Sequence, residues 1–188
     1  MKFKYFKPTL VLLIICVVIS AALAATYRLT YVPPVTDPAQ IVALMADDYA
    51  EVLPGSTDYV LVERTEGYEK LARGAVVERV TASNGCIVTV HSSGQYDSDP
   101  IRVLVGVGAD GAVTGVKLLK ISETPGMGMK TNNPRWLAQF VGGTSFSLDG
   151  RTGAGIDGVT SATKSSRAVV NAVNMAVEAA AELRKEAN

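Results

Sequence analysis

From Pro8 to Tyr27 the chain carries no charged residue, and the centre of that stretch reads Leu10-Val11-Leu12-Leu13-Ile14-Ile15-Cys16-Val17-Val18-Ile19. No other feature limits the fold as strongly. About twenty residues at ~1.5 Å each make a helix ~30 Å long, the thickness of a bilayer's hydrocarbon core. Lys2, Lys4 and Lys7 lie before the run and Arg28 lies after it. This bias of positive charge predicts a cytoplasmic N-terminus, with everything beyond Arg28 on the far side of the cell (inner) membrane. Tyr5, Phe6, Tyr27 and Tyr31 stand where interfacial aromatic belts form. The competing reading is a cleaved signal peptide, because Ala22-Leu23-Ala24 has the form of a cleavage site. Ile15 before Cys16 does not suit lipoprotein processing, which requires a small residue there. Either way, the expected division is a cytoplasmic stub and single-pass anchor over 1–28, a linker over 29–36, and one extracytoplasmic domain over 37–188.

Composition then removes several function classes. The 18 basic and 18 acidic residues cancel, whereas nucleic-acid binding needs a concentrated basic surface. Cys16, Cys86 and the single histidine, His91, have no metal-ligand spacing, so no metal site is expected. His91 lies in a strand-like segment without a nucleophile or carboxylate nearby in sequence, which favours a structural role. Asp47-Asp48 reads as a solvated pair, and Trp136 reads as core beside Leu137 and Phe140. No set of residues singles out a catalytic group.

After the Pro33-Pro34 spacer, Asp37-Pro38-Ala39-Gln40 has the form of a helix start, with Asp37 as cap, Pro38 first in the helix and Gln40 closing a capping box. Ile41, Leu44, Met45, Tyr49 and Val52 form the predicted apolar stripe, and Pro54-Gly55 ends it. The period then becomes strand-like. Tyr59 to Thr65 alternates, Ala75 to Val80 and Cys86 to His91 flank Ser83-Asn84-Gly85, and Ile101 to Val107 and Val113 to Ile121 flank Ala109-Asp110-Gly111. Asn132-Asn133-Pro134 opens a short helix through Val141, closed by Gly142-Gly143. A long amphipathic helix from about Ala162 to Ala187 puts Val169, Val173, Ala176, Val177, Ala180 and Leu183 on its inner face. Lys164, Arg167, Asn171, Asn174, Glu178, Glu182 and Lys185 fall on the outer one. The fold class is α+β: a transmembrane helix, then one domain of twisted antiparallel sheet with packed helices.

Two stretches carry the chemistry. Asp157-Gly158-Val159-Thr160-Ser161-Ala162-Thr163 leads into Lys164-Ser165-Ser166-Arg167 at the start of the last helix. With Ser161 or Thr160 as cap, Thr163 falls in the first turn, where free N–H groups and the helix dipole favour an anion, above all phosphate. Lys164 and Arg167 add positive charge, and Gly158 lets the backbone pass close to a bulky group. The residues alone favour an ordinary Ser/Thr-rich helix cap. Upstream, Glu123-Thr124-Pro125-Gly126-Met127-Gly128 fits a tight turn, or a main-chain surface that a flat ring could approach, with Met127 as a soft apolar contact.

Both stretches resemble signatures of one family. The first is similar to the flavinylation motif D-x-x-[ST]-G-A-T of membrane-associated FMN-binding domains, and the second resembles their E-T-P-G-L-G segment. Such domains occur in the G subunit of the Rnf electron-transport complex and the C subunit of sodium-pumping NADH:quinone reductase. The likeness runs from about residue 85 to the end and is weak between 55 and 84. It implies FMN carried as a phosphoester on Thr163, attached by a flavin transferase that uses FAD and Mg²⁺. Around it would stand Glu123, Thr124, Pro125, Gly126, Met127, Gly128, Asp157, Gly158, Thr160, Ser161, Ala162 and Lys164. Two departures stand out: Ser161 replaces the usual glycine, and Gly94 to Ile101 replaces a G-Y-G-G-P-I segment. The function implied is an electron-carrying subunit among other membrane subunits of a ferredoxin:NAD⁺ oxidoreductase, coupled to sodium or proton translocation. A stand-alone extracytoplasmic FMN carrier, a subunit of another redox chain and a non-redox tethered module are the alternatives.

Overall fold

In a computed structural model, residues 6–32, 37–65, 74–93 and 100–186 are described. They fall into two units, 1–36 and 37–188. The Pro33-to-Thr36 part of the spacer, the departure at 94–99, and Lys2, Lys4 and Tyr5 lie outside the described residues.

The first unit is helix α1 (Phe6–Thr30). It is long and apolar enough to cross a membrane, and every described side chain from Pro8 to Val32 is exposed within its own unit. A helix apolar on all sides belongs in lipid. Its late hydroxyls are satisfied internally, Thr26 donating to the carbonyl of Ala22 and Thr30 to that of Thr26.

The second unit begins with helix α2 (Pro38–Val52). Asp37 caps it by accepting from the N–H of Ala39 at 3.0 Å, and Leu53 and Gly55 (φ 75°) end it. Ile41, Tyr49 and Val52 are buried, but Leu44 is 70% exposed. At 3.6 residues per turn Leu44 falls roughly 100° from the line of Ile41, Met45, Tyr49 and Val52. It does not belong to the stripe.

Five strands follow: β1 (Val60–Arg64), β2 (Ala75–Ala82), β3 (Gly85–Ser92), β4 (Ile101–Gly108) and β5 (Val113–Lys120). They form an antiparallel sheet in sequence order. The β4–β5 hairpin turns at Gly111 (φ 90°), as Asp-Gly predicts. Strands β3 and β4 read as nearly continuous apolar runs because both faces of the sheet are covered. On one face Cys86, Val88, Val90, Val103, Val105 and Val107 pack beneath helix α4 (Thr163–Glu186). On the other, Val80, Ile87 and Leu104 pack with Tyr49, Val52 and Leu53 at the end of α2. Burial pushes the Cys86 thiol up from its ordinary pKa, which keeps it protonated and inert.

Glycines set how closely α2 approaches. A Cβ on Gly115 would lie 2.8 Å from Val52 Cα, and one on Gly106 would lie 2.6 Å from Val52 C. Thr114 donates to the Val52 carbonyl at 2.6 Å in the same notch. Beside it Lys117 binds Asp48 at 2.7 Å and also Glu51. These hydrogen bonds raise the lysine's pKa. Asp48 is therefore ion-paired, and only Asp47 stands exposed in solvent. His91 is buried and accepts from Arg102 Nε at 3.0 Å, a structural role.

Beyond the sheet, the expected short helix divides into α3 (Pro134–Leu137), capped by Asn133, and a 3₁₀ turn over Ala138–Phe140. Trp136, Phe140 and Phe146 stack edge to face at 5.5 and 5.1 Å. A small parallel pair, β6 (Phe146–Ser147) with β7 (Ala154–Gly155), has no counterpart among the elements expected from sequence. Asn174 holds β6 through both amide atoms, accepting from Phe146 N at 2.9 Å and donating to Phe146 O at 2.8 Å. It is thus a clamp and not a member of the solvated face of α4. Val177 is only partly buried, while the remainder of the predicted inner face is buried.

Candidate functional site

Two turns meet at the start of α4. In the first, Met127 N donates to Thr124 O at 3.1 Å, and Gly126 in third position has φ 76°. Pro before a positive-φ glycine is the pattern of a type II turn. The second spans Val159 to Ala162, closed by Ala162 N donating to Val159 O at 2.9 Å. Its third position, Ser161, has φ 65°, a left-handed conformation that glycine tolerates and serine adopts at a cost.

The helix begins one residue later than a Ser161 cap would place it, and two later than a Thr160 cap would. Ser166 N donates to Ala162 O at 2.8 Å, so Ala162 occupies the cap position and neither Thr160 nor Ser161 does. Thr163 is the first helical residue and is exposed. The N–H groups of Thr163, Lys164 and Ser165 have no acceptor within the helix.

Buried hydroxyls hold the two turns together. Ser165 donates to Glu123 Oε2 at 2.7 Å, both side chains being buried. Ser166, fully buried, accepts from the N–H of Val159 at 3.0 Å. Thr131, also fully buried, donates to the Gly128 carbonyl at 2.8 Å. Trp136 Nε1 donates to Asp157 O at 2.6 Å, and Gln139 accepts from Asp157 N at 3.0 Å. Trp136 therefore packs in the core, as expected, and also ties down the loop that delivers Thr163.

Between the turns opens a cavity of about 430 Å³ lined by Glu123, Thr124, Met127, Gly128 and the run from Ser161 to Ser165. That volume is ordinary for a small-molecule site. Of the residues singled out from sequence, Glu123, Thr124, Met127, Gly128, Ser161, Ala162, Thr163 and Lys164 reach it. Pro125, Gly126, Asp157, Gly158 and Thr160 do not line it; they are exposed and shape the turns. Gly128 owes its identity to packing, since a Cβ there would lie 2.6 Å from Glu123 Cβ and 2.8 Å from Ser165 Oγ. Gly126 has nothing within 4 Å of such a Cβ and is needed for its φ alone. Sequence reasoning missed Thr131, Ser165 and Ser166 as supports. Their only signal is a hydroxyl at a position that the helical or turn geometry buries.

The sheet is covered by helices, and an exposed threonine opens its longest helix onto this cavity, an arrangement whose free N–H groups could receive an anionic group. A model of the FMN-binding domain matches residues 97–178. The G subunit of the Na⁺-translocating ferredoxin:NAD⁺ oxidoreductase complex of Acetobacterium woodii is 32% identical, over 96% of this chain and 93% of that protein. The G subunit of the ion-translocating oxidoreductase complex of Methanosarcina acetivorans is 32% identical over 86% and 89%. Among solved structures, that of NqrC from Shewanella oneidensis aligns with a TM-score of 0.48 and 19% identity, over 69% of this chain and 80% of that one. The chain belongs to the FMN-binding domain family that includes the G subunits of ion-translocating oxidoreductase complexes.

Proposed function

We propose that this protein is a membrane-anchored electron-transfer subunit that carries FMN covalently on Thr163. It would work within an Rnf-type ferredoxin:NAD⁺ oxidoreductase coupled to sodium or proton translocation. One observation carries the reading: Thr163 is exposed at the first position of α4 and lines a cavity shared with the Glu123–Gly128 turn. The residues present fit the group. A phosphoester on Thr163 would meet the free N–H groups of the first turn and the ammonium of Lys164, and the cavity wall at Met127 offers an apolar contact. Ser165 and Glu123 fix the two turns to each other, so both walls of the cavity that would hold the cofactor are kept in register. FMN supplies the redox chemistry when bound, while the protein sets its orientation and access. Near neighbours would be other membrane subunits, and a flavin transferase would act during maturation. α1 would place its N-terminus in the cytoplasm and the flavin domain outside.

The test is co-expression with a flavin transferase, followed by a denaturing gel viewed under ultraviolet light. The wild type should give a fluorescent band that Thr163→Ala abolishes. An intact mass without flavin, with the transferase active on a control substrate, overturns the reading. Protease added to spheroplasts should digest the domain beyond Arg28, and protection of that domain until lysis would reverse the orientation.

A further inference from the structure

All residues that line the cavity except Glu123 belong to two segments, 124–148 and 158–177, that contain no Asp or Glu but include Lys130, Arg135, Lys164 and Arg167. All four cations are exposed. Among the described residues none of them forms an ion pair, whereas Arg64, Arg79 and Lys117 on the sheet are paired with Glu78, with Glu63 and Glu182, and with Asp48 and Glu51. The acid that opens the first turn, Glu123, is buried and held by Ser165. Because the whole chain is neutral, this positive rim is a local segregation of charge. Among the described residues, exposed acids stand on α2 (Asp47), at the end of α4 (Glu178, Glu186) and at Asp157, directly before the second segment. Next to the cavity Met127 and Met129 are 49% and 42% exposed, two of the few large apolar side chains so exposed outside α1.

Exposed methionines in segments that also carry unpaired cations have the composition of a protein interface, where methionine and arginine are enriched. Such cations steer an oppositely charged partner into register. A phosphodiester on Thr163 would carry a single negative charge, which offsets one of the four positive charges and leaves the rim net positive. Basic clusters that bind lipid lie beside a membrane helix, on one amphipathic helix or in pockets between membrane helices. Here the four come from the two segments of the second unit that supply the cavity's lining.

We propose that the cavity mouth, centred on Met127 and Met129 and ringed by Lys130, Lys164 and Arg167, is the docking surface for an acidic face of a redox partner protein. This rests on the electron-transfer reading above. The partner's acids bind the rim, and its redox centre comes to rest over the opening of the cavity.

The experiment places a photo-crosslinking amino acid at Met129 in the full-length chain within its membrane complex, and mass spectrometry identifies the crosslinked peptide. The expected result is an acidic segment of another subunit, with a yield that falls as salt rises. In Lys130→Glu the yield should drop about threefold or more, while Lys130→Gln lies between. The fluorescent flavin band should stay unchanged in both. Yield insensitive to charge reversal, or crosslinks to a segment without acids, overturns the proposal. So does loss of binding to phosphatidylglycerol vesicles in the Glu variant with crosslinking intact, which would assign the rim to a membrane surface. Crosslinking needs no flavin, so a chain without the band that still crosslinks to an acidic segment sinks the flavin reading and leaves the docking surface standing.

Discussion

The two turns that wall the cavity share a backbone design but differ in chemistry. Each places a left-handed residue third: Gly126 at φ 76° in one, Ser161 at φ 65° in the other. In the Thr124–Met127 turn the residue that must adopt positive φ is the one type that does so freely, and it points at empty space. In the Val159–Ala162 turn a serine is held there, and it lines the cavity beside Thr163. The difference suggests a division of labour. The first turn is a passive wall positioned by local rules, and the second is held by its surroundings, through Ser166, Trp136 and Gln139. Strain of this kind persists only where neighbours over-determine it.

The largest expected effect tests whether the first wall is passive throughout. Gly128→Ala puts a methyl group against Glu123 Cβ and Ser165 Oγ, both buried. Pushing Glu123 aside breaks its bond to Ser165 and separates the two turns. A loss of about 2–3 kcal/mol in urea unfolding of the second unit is expected, together with a weaker flavin band. Gly126→Ala meets no atom and should cost only about 1 kcal/mol, for its φ. Equal costs at the two positions would show that the packing of Gly128 against Glu123 does not hold the site together.

These cases also show what the sequence could and could not say. The cap of α2, the hairpins and the strands were legible because each follows from a local pattern, such as Asp37-Pro38 or Asp110-Gly111. Both turns of the site were legible as motifs. What stayed hidden depends on atoms distant in the chain. Nothing local reveals that Ser165 reaches Glu123, 42 positions away, that Asn174 clamps Phe146, or that Gly115 is a notch for Val52. Leu44 misleads because a stripe written as a list tolerates one wrong member that a 3.6-residue period rejects. The cap shifts to Ala162 because Ser161 has the right chemistry for a cap, but its backbone is spent on the turn before it.

A second, smaller effect separates the two faces of the sheet by pH. Burial raises the pKa of Cys86 beneath α4, and hydrogen bonds to Asp48 and Glu51 raise that of Lys117 beside α2. Tyr49 is raised as well, first by burial and then by Glu78. In each case the folded state holds its proton to higher pH than the unfolded chain does. The stability these groups contribute is therefore fully present below their ordinary values of 9.0, 10.0 and 10.5 and is lost as pH rises through the folded ones. Melting temperature should fall steadily from about pH 8 to about pH 11. Lys117→Gln should flatten only the upper part of that fall, since the lysine is one-third exposed and screened. If the profile is flat, these groups titrate alike in both states.

The smallest effect bears most directly on the contrast between the turns. Ser161→Gly removes the steric cost of a left-handed serine and should raise stability by about 0.5–1 kcal/mol, less the entropy that glycine adds to the unfolded chain. If the strained serine only sustains the turn, the glycine variant should take flavin on Thr163 at least as well as the wild type. If instead the Ser161 hydroxyl helps orient the group bound at the helix start, stability should rise while the bound flavin becomes more mobile, seen as lower fluorescence anisotropy of the flavin-bearing domain. A variant less stable than the wild type would mean that Ser161 gains more from its neighbours than its φ costs, and the asymmetry between the two turns would then lie in side-chain contacts and not in the backbone.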